Sequence, residues 1–139
     1  MNARERFGRD THEIIGACIE VHRHLGPGLL ESAYEECVAH EMELRGMRFD
    51  RQPVLPLVYK ERWVERAYQP DFVVEGTVVL EIKAVQALLA VHAAQLRTYM
   101  KLQRLPVGLL VNFNVPALRE HGIRRLILSS PPGLLASPD

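Results

Sequence analysis

This sequence lacks an excess of either charge, a long apolar run and a useful number of cysteines. Seventeen Lys and Arg balance seventeen Asp and Glu, so the formal net charge is zero. That excludes an avid binder of nucleic acid driven by bulk charge and leaves room only for a local basic patch. No stretch approaches the roughly 20 apolar residues that a membrane-crossing helix needs. Met1 to Asp10 is polar and charged and has no apolar segment of the signal-peptide kind. The expectation is a cytoplasmic protein with no membrane partner. Cys18 and Cys37 stand 19 residues apart, neither a metal-ligand spacing nor a disulfide framework. Each falls on the apolar face of a predicted helix and reads as a reduced core thiol.

What is present is an ordinary globular composition, 47% hydrophobic and 24% charged over 139 residues, enough for one domain with its own core. The expected boundaries are a flexible N-terminus over 1–10, a single domain over 11–128 and a disordered tail over 129–139, which opens Ser129-Ser130-Pro131-Pro132. Asp10-Thr11-His12-Glu13 has the form of a helix start. Ile14, Ile15, Cys18, Val21, His22 and Leu25 then recur at helical spacing. Gly26-Pro27-Gly28 turns the chain into a second helix carrying Leu30, Ala33, Tyr34, Cys37, Val38 and Leu44 and ending at Gly46.

From Gln52 the period changes to two. Val54, Leu57 and Tyr59 lie on a strand that Pro53 and Pro56 push toward a sheet edge. Lys60-Glu61 turns it into a longer strand, Trp63 to Val74, and Thr77 to Ala84 pairs back on that. A third helix carries Val85, Leu88, Leu89, His92, Leu96, Tyr99 and Met100, and Pro106 closes it. Val107 to Val111 is wholly apolar, as expected of a strand covered on both faces. Ile123 to Leu128 is a last strand. This order of elements gives an α/β sheet with helices packed on it.

The hairpin from Pro70 to Lys83 carries three charges, Asp71, Glu81 and Lys83, on otherwise apolar strands. An unpaired buried charge is costly, so these need a reason. Alternation puts Glu81 and Lys83 on one face with Val79. A turn centred on Gly76 sets Val74 opposite Val78, Phe72 opposite Leu80 and Asp71 opposite Glu81. That register gathers the large apolar groups on one face and the charges on the other, whereas a slip of one residue mixes them. Two carboxylates with Cβ atoms roughly 5 Å apart repel unless one is protonated or a cation sits between them. Their oxygens, a carbonyl and waters suit Mg²⁺ or Mn²⁺, and a lysine beside them could orient a water. The plainer alternative is a solvated strand face on which Lys83 answers two acids.

His92 and Gln95 lie on or at the edge of the third helix's apolar face. A glutamine facing the sheet needs partners, which a nearby active site or a bridging water could supply. Glu31 stands in the first turn of the second helix, where an acid favours the helix N-terminus in any case. Arg97, Lys101 and Arg104 share one face of the third helix and, with Arg124 and Arg125, are candidate phosphate contacts or a plain solvated stripe.

Gly28-Leu29-Leu30-Glu31-Ser32-Ala33-Tyr34 resembles the pattern that names the GxxExxY family, a group of small bacterial proteins. The likeness continues through Val21-His22, Leu25 to Gly28, Tyr68 to Asp71, Glu81 to Val85, Gln95-Leu96, Tyr99, Gly108 to Phe113 and Gly122 to Arg125. That family is placed in the PD-(D/E)XK nuclease-like superfamily. The resemblance implies a restriction-endonuclease-like core: a central mixed sheet of four to five strands flanked by helices, in the order α-α-β-β-β-α-β-β. It implies Asp71 and Glu81 as ligands of Mg²⁺ (or Mn²⁺), with the Ile82 carbonyl assisting and Lys83 placing the attacking water. Glu31 corresponds to the acid that the superfamily's first core helix often adds to the metal shell. Gln95 corresponds to the glutamine that some branches carry on the helix after the third strand.

The expected activity is Mg²⁺-dependent hydrolysis of phosphodiester bonds, in DNA ahead of RNA. The rival expectation is a non-catalytic module on a nuclease fold that binds nucleic acid or protein. A homodimer would enlarge the small surface available for gripping a duplex.

Overall fold

The computed structural model describes residues 1–128; the tail expected over 129–139 lies outside them. Helix α1 (Ala3–Leu25) starts from a reciprocal cap in which Asn2 accepts from the Glu5 amide at 2.8 Å and the Glu5 carboxylate accepts from the Asn2 amide. It therefore begins two turns before the start expected at Asp10 or Thr11. Those two residues look like a cap but serve inside the helix. Thr11 donates to the Phe7 carbonyl, and buried Asp10 accepts from the Thr77 hydroxyl at 2.8 Å. Ile14, Ala17, Cys18 and Val21 form the buried stripe of α1.

Gly26, with φ +66°, ends that helix, and α2 (Glu31–Leu44) follows. The turn between them is tied from within by Tyr34. Its hydroxyl donates to the Gly26 carbonyl at 2.6 Å and accepts from the Leu29 amide at 3.1 Å. Its ring stacks on Phe113, with centroids 4.6 Å apart. Glu31, one turn upstream on the same helix, is thereby held in a fixed place.

The strands in chain order are β1 (Phe49–Arg51), β2 (Leu55–Tyr59), β3 (Arg62–Tyr68), β4 (Phe72–Val74), β5 (Val78–Lys83), β6 (Val107–Asn112) and β7 (Ile123–Ile127). Helix α3 (Ala90–Gln103) connects β5 to β6, and the short α4 (Leu118–His121) precedes β7. The central sheet runs β1-β4-β5-β6-β7, and only the β5–β6 pair is parallel. This is the expected α/β architecture, with five strands in the central sheet. Its two faces carry separate cores. Phe72, Val74, Val78, Leu80, Ile82, Leu109 and Val111 meet α1 and α2, while Val79 and Leu110 meet Ala93, Leu96 and Met100 of α3.

Three local expectations fail for identifiable reasons. The long strand Trp63 to Val74 is broken at Gln69-Pro70, because proline cannot donate to a ladder and the chain changes sheets there. The strand expected over Val54 to Tyr59 is not at the central sheet's edge. It pairs with β3 as a separate ribbon, and β1 takes the place beside β4, where Phe49 packs edge-on against Phe72. The third helix starts at Ala90, not Val85. The Asn112 side chain takes both backbone groups of Val85, accepting from its amide at 3.1 Å and donating to its carbonyl at 3.0 Å, so Val85 is bound outside any helix.

Gly122 lies where a Cβ would come within 2.5 Å of the Asn112 carbonyl oxygen, a backbone atom that cannot swing aside. Gly122→Ala is expected to cost about 1–3 kcal/mol, seen as a lower melting temperature by calorimetry. Gly8→Ala in α1, where a Cβ meets nothing within 4 Å, should instead gain about 0.5–1 kcal/mol.

Candidate active site

The β4–β5 hairpin has the register that its hydrophobic pattern requires: Phe72 opposite Leu80, Val73 opposite Val79, Val74 opposite Val78. One step further, Asp71 faces Glu81. The turn is made by Glu75 and Gly76, both in the left-handed region at φ +55° and +64°. Two crossed hydrogen bonds close the open end. The Asp71 amide donates to Glu81 Oε1 at 2.7 Å, and the Ile82 amide donates to Asp71 Oδ2 at 2.6 Å. Each strand's backbone thus holds the other strand's acid.

Both carboxyls are held above their ordinary range. Burial is the main cause for Glu81, followed by the charge of Asp71, and together they push it up to about 8. Burial likewise pushes Asp71 up to about 6, the Ile82 amide works against this, and the charges of Glu35 and Glu31 add to it. Lys83 lowers both, but weakly. Its Nζ stands 4.0 Å from Glu81 Oε2, which is ion-pair distance without a hydrogen bond.

Glu31 reaches the same end of the sheet from α2, where its carboxylate accepts from the Ala84 amide at 3.3 Å. Of the residues singled out from the sequence, Asp71, Glu81 and Lys83 therefore come together, and Glu31 lies near enough for its charge to act on both acids without joining them in a three-carboxylate set. Gln95 does not join them: it is exposed on α3, and no hydrogen bond ties it to the acids among the described residues. His92 is used locally, its Nδ1 accepting from the Leu89 amide at 2.9 Å where α3 begins. Arg97 and Arg104 are exposed and Lys101 half-buried on α3. Arg124 and Arg125 are exposed on β7, opposite Leu110 and Leu109, so they project from different sheet faces. Cys18 and Cys37 are free thiols, and burial pushes that of Cys18 up to about 12.

Glu35 is the participant the sequence reading missed. It is 8% exposed, accepts from Gln52 Nε2 at 2.8 Å and pairs with Arg51 at 3.2 Å, and its charge bears on Asp71. The available signal was its spacing, one helical turn after Glu31 on the same face. Gln52 and Asn112 carried no such signal, because their side chains bond to groups far along the chain, the Glu35 carboxylate and the Val85 backbone.

The donor set can be tested against a metal on its chemistry. Crossed bonding uses one oxygen of each acid, leaving Asp71 Oδ1 and Glu81 Oε2 without a hydrogen bond among the described residues. Among those residues, no three His, Cys, Asp or Glu side chains gather into a ready ligand set. Two carboxylate oxygens in an acidic pocket do not make an all-protein cage. They do match Mg²⁺ or Mn²⁺, which binds through one or two carboxylates and keeps several waters.

A mixed sheet with helices on both faces, offering a buried acid, a half-buried acid and a lysine from one hairpin, defines a nuclease-like α/β protein. A family model of the PD-(D/E)XK nuclease superfamily matches residues 9–126, and the chain belongs to that superfamily. No curated protein and no solved structure matched it.

The raised carboxyls make a pH prediction. The folded protein holds protons on Asp71 and Glu81 that the unfolded chain releases near pH 4 to 4.5. This pair therefore costs nothing below about pH 4 and destabilises progressively as pH rises to about 8. Glu81→Gln keeps the acceptor for the Asp71 amide and removes the titrating group. Its melting temperature should exceed that of the wild type at pH 8 by several degrees in metal-free buffer, and the gap should close toward pH 4. A gap of equal size at both pH values would contradict the assignment.

Proposed function

We propose that this chain is a Mg²⁺-dependent (or Mn²⁺-dependent) nuclease of the GxxExxY type, hydrolysing phosphodiester bonds in DNA ahead of RNA. The observation that carries this reading is the pair of facing, proton-retaining acids with Lys83 beside them. Such a pair needs a proton or a cation to coexist, and at neutral pH a divalent cation is the stronger partner. Superfamily membership supports the same chemistry.

Asp71 and Glu81 would hold the metal, with the Ile82 carbonyl and Glu31 completing its shell. When bound, the metal supplies Lewis-acid polarisation of the phosphate and stabilises the leaving oxygen. Lys83 orients a water toward the phosphorus and offsets negative charge that develops in the transition state. The amides of Asp71 and Ile82 keep both acids from rotating away. Arg97, Lys101 and Arg104 are assigned to substrate contact from α3 and Arg124 from β7, where it shares the α3 face; Arg125 projects from the other face, and Gln95 keeps only the role that the family resemblance implies. No described helix is long and apolar enough to cross a membrane, and the two free thiols fit a reducing compartment, so we assign the protein to the cytoplasm.

Purified protein incubated with supercoiled, linear and single-stranded DNA and with RNA should cut at least one of them with Mg²⁺ or Mn²⁺ and none in EDTA. The Glu81→Ala/Lys83→Ala variant should lose roughly 100-fold or more of that rate. Calorimetry should show Mn²⁺ binding that Asp71→Asn weakens by at least 10-fold. Mn²⁺ binding unaffected by Asp71→Asn would reject the site itself. A wild type that binds metal and nucleic acid but cuts nothing would leave a binding module on a nuclease fold.

A further inference from the structure

The β2–β3 ribbon is the part of the fold that the proposed chemistry leaves unused. Neither strand joins the central sheet, and among the described residues no other element packs closely on it. A two-stranded hairpin is marginal in water by itself. This one nevertheless turns large apolar groups to solvent, with Trp63 66%, Tyr59 60% and Val58 53% exposed. Val58 faces Trp63 and Tyr59 faces Arg62 across the ladder, so alternation places a ring on each side of the ribbon.

The tip adds a second observation. Lys60 and Glu61 both sit in the left-handed region, at φ +46° and +72°, in a turn that Asn-Gly would form with less strain. Lys60 has its Nζ 5.4 Å from the Tyr59 ring centroid. Two rings thus flank the charged turn, in the order Tyr59, Lys60, Glu61, Arg62 and Trp63. The root of the ribbon is continuous with the site. The Gln52 amide donates to the Asp71 carbonyl at 2.8 Å, Gln52 Nε2 donates to Glu35, and Gln69 Nε2 donates to the Gln52 carbonyl at 3.2 Å. Both legs are thus clamped beside Asp71, and β3, seven residues long, carries the rings roughly 20 Å outward.

We propose that this ribbon is a docking arm for unpaired nucleic acid. The strand wraps the tip, so that bases stack on Trp63 on one side of the ribbon and on Tyr59 on the other, Lys60 and Arg62 neutralise flanking phosphates, and one end of the strand is directed toward Asp71, Glu81 and Lys83. The proposal rests on the nuclease reading and narrows its substrate to single strands or duplexes with unpaired stretches. Rings and aliphatic groups contact base faces, which a duplex hides in its stack. A ribbon built for a duplex would present mainly polar and cationic groups to phosphates and groove edges. Zero net charge agrees, because stacking does not require a broad basic surface.

The chain has one tryptophan, so its fluorescence reports Trp63 alone. In EDTA, where cleavage is blocked, oligothymidylate should quench that fluorescence to saturation, and a duplex of equal length should bind at least 10-fold more weakly. By anisotropy of a labelled oligothymidylate, Trp63→Ala and Tyr59→Ala should each raise Kd roughly 10-fold or more. Trp63→Phe should restore most of the affinity, and Leu44→Ala, on exposed α2 surface, should bind like the wild type. Circular dichroism should be unchanged throughout. Absence of quenching, equal binding of duplex and single strand, or unchanged Kd in Trp63→Ala overturns the proposal. So does sedimentation in which Trp63→Ala splits a dimer into monomers, which would make the ribbon an interface between copies. Ring-dependent binding by a protein that never cuts would uphold the arm and sink the nuclease reading alone.

Discussion

Two backbone amides decide where the charges of this molecule can be. The amide of Asp71 fixes Glu81 and the amide of Ile82 fixes Asp71, across a hairpin whose register admits one solution. Moving that register by one residue would drive the acids into the face where Phe72 and Leu80 meet α1 and α2. The apolar core therefore sets the position of the polar site. Desolvation of two carboxylates is the cost that core packing must carry, and a proton or a cation is what limits it.

The rest of the architecture keeps the open end of the hairpin accessible. Asn112 holds Val85 by both backbone groups outside any helix, and α3 begins only at Ala90, so the chain leaving Lys83 is a loop and not a helix. On the opposite side, Tyr34 ties the turn from Gly26 to Leu29 and holds the first turn of α2 where Glu31 meets the Ala84 amide. His22 anchors the far strand connection by its contact with the Val115 carbonyl at 2.8 Å. Tyr34 and His22, two positions of the family-like pattern, thus have packing and hydrogen-bonding roles. They touch neither acid.

How much was legible depended on whether the information was local. The hairpin register could be read because alternation and turn position lie within fourteen residues of each other. The covered β6 strand announced itself by a run with no polar residue. By contrast, Pro70 reads equally as an edge-strand proline or as a break, and only the switch of partner from β2 to β1 distinguishes them. The start of α3 was hidden because Val85, Leu88 and Leu89 fit a helical stripe, while the residue that overrides it, Asn112, is 27 positions away. Glu35 was hidden differently. Its spacing from Glu31 was visible, but its engagement depends on Gln52, which reaches it only after the chain has turned through β1.

The charge balance of the whole chain conceals a local imbalance. Asp71, Glu81, Glu31 and Glu35 converge on the root of the ribbon, Arg51 is taken by Glu35 and Glu36, and Lys83 answers the remainder. Lys60 and Arg62 stand at the far end, roughly 20 Å away, beyond the ~10 Å over which charges act at moderate salt. A phosphate backbone approaching the root would meet net negative charge, which under the proposed reading a divalent ion held by Asp71 and Glu81 would offset. At the tip, stacking and two cations work without that ion. On that reading, capture at the tip and chemistry at the root are electrostatically independent, and only the second would depend on the ion.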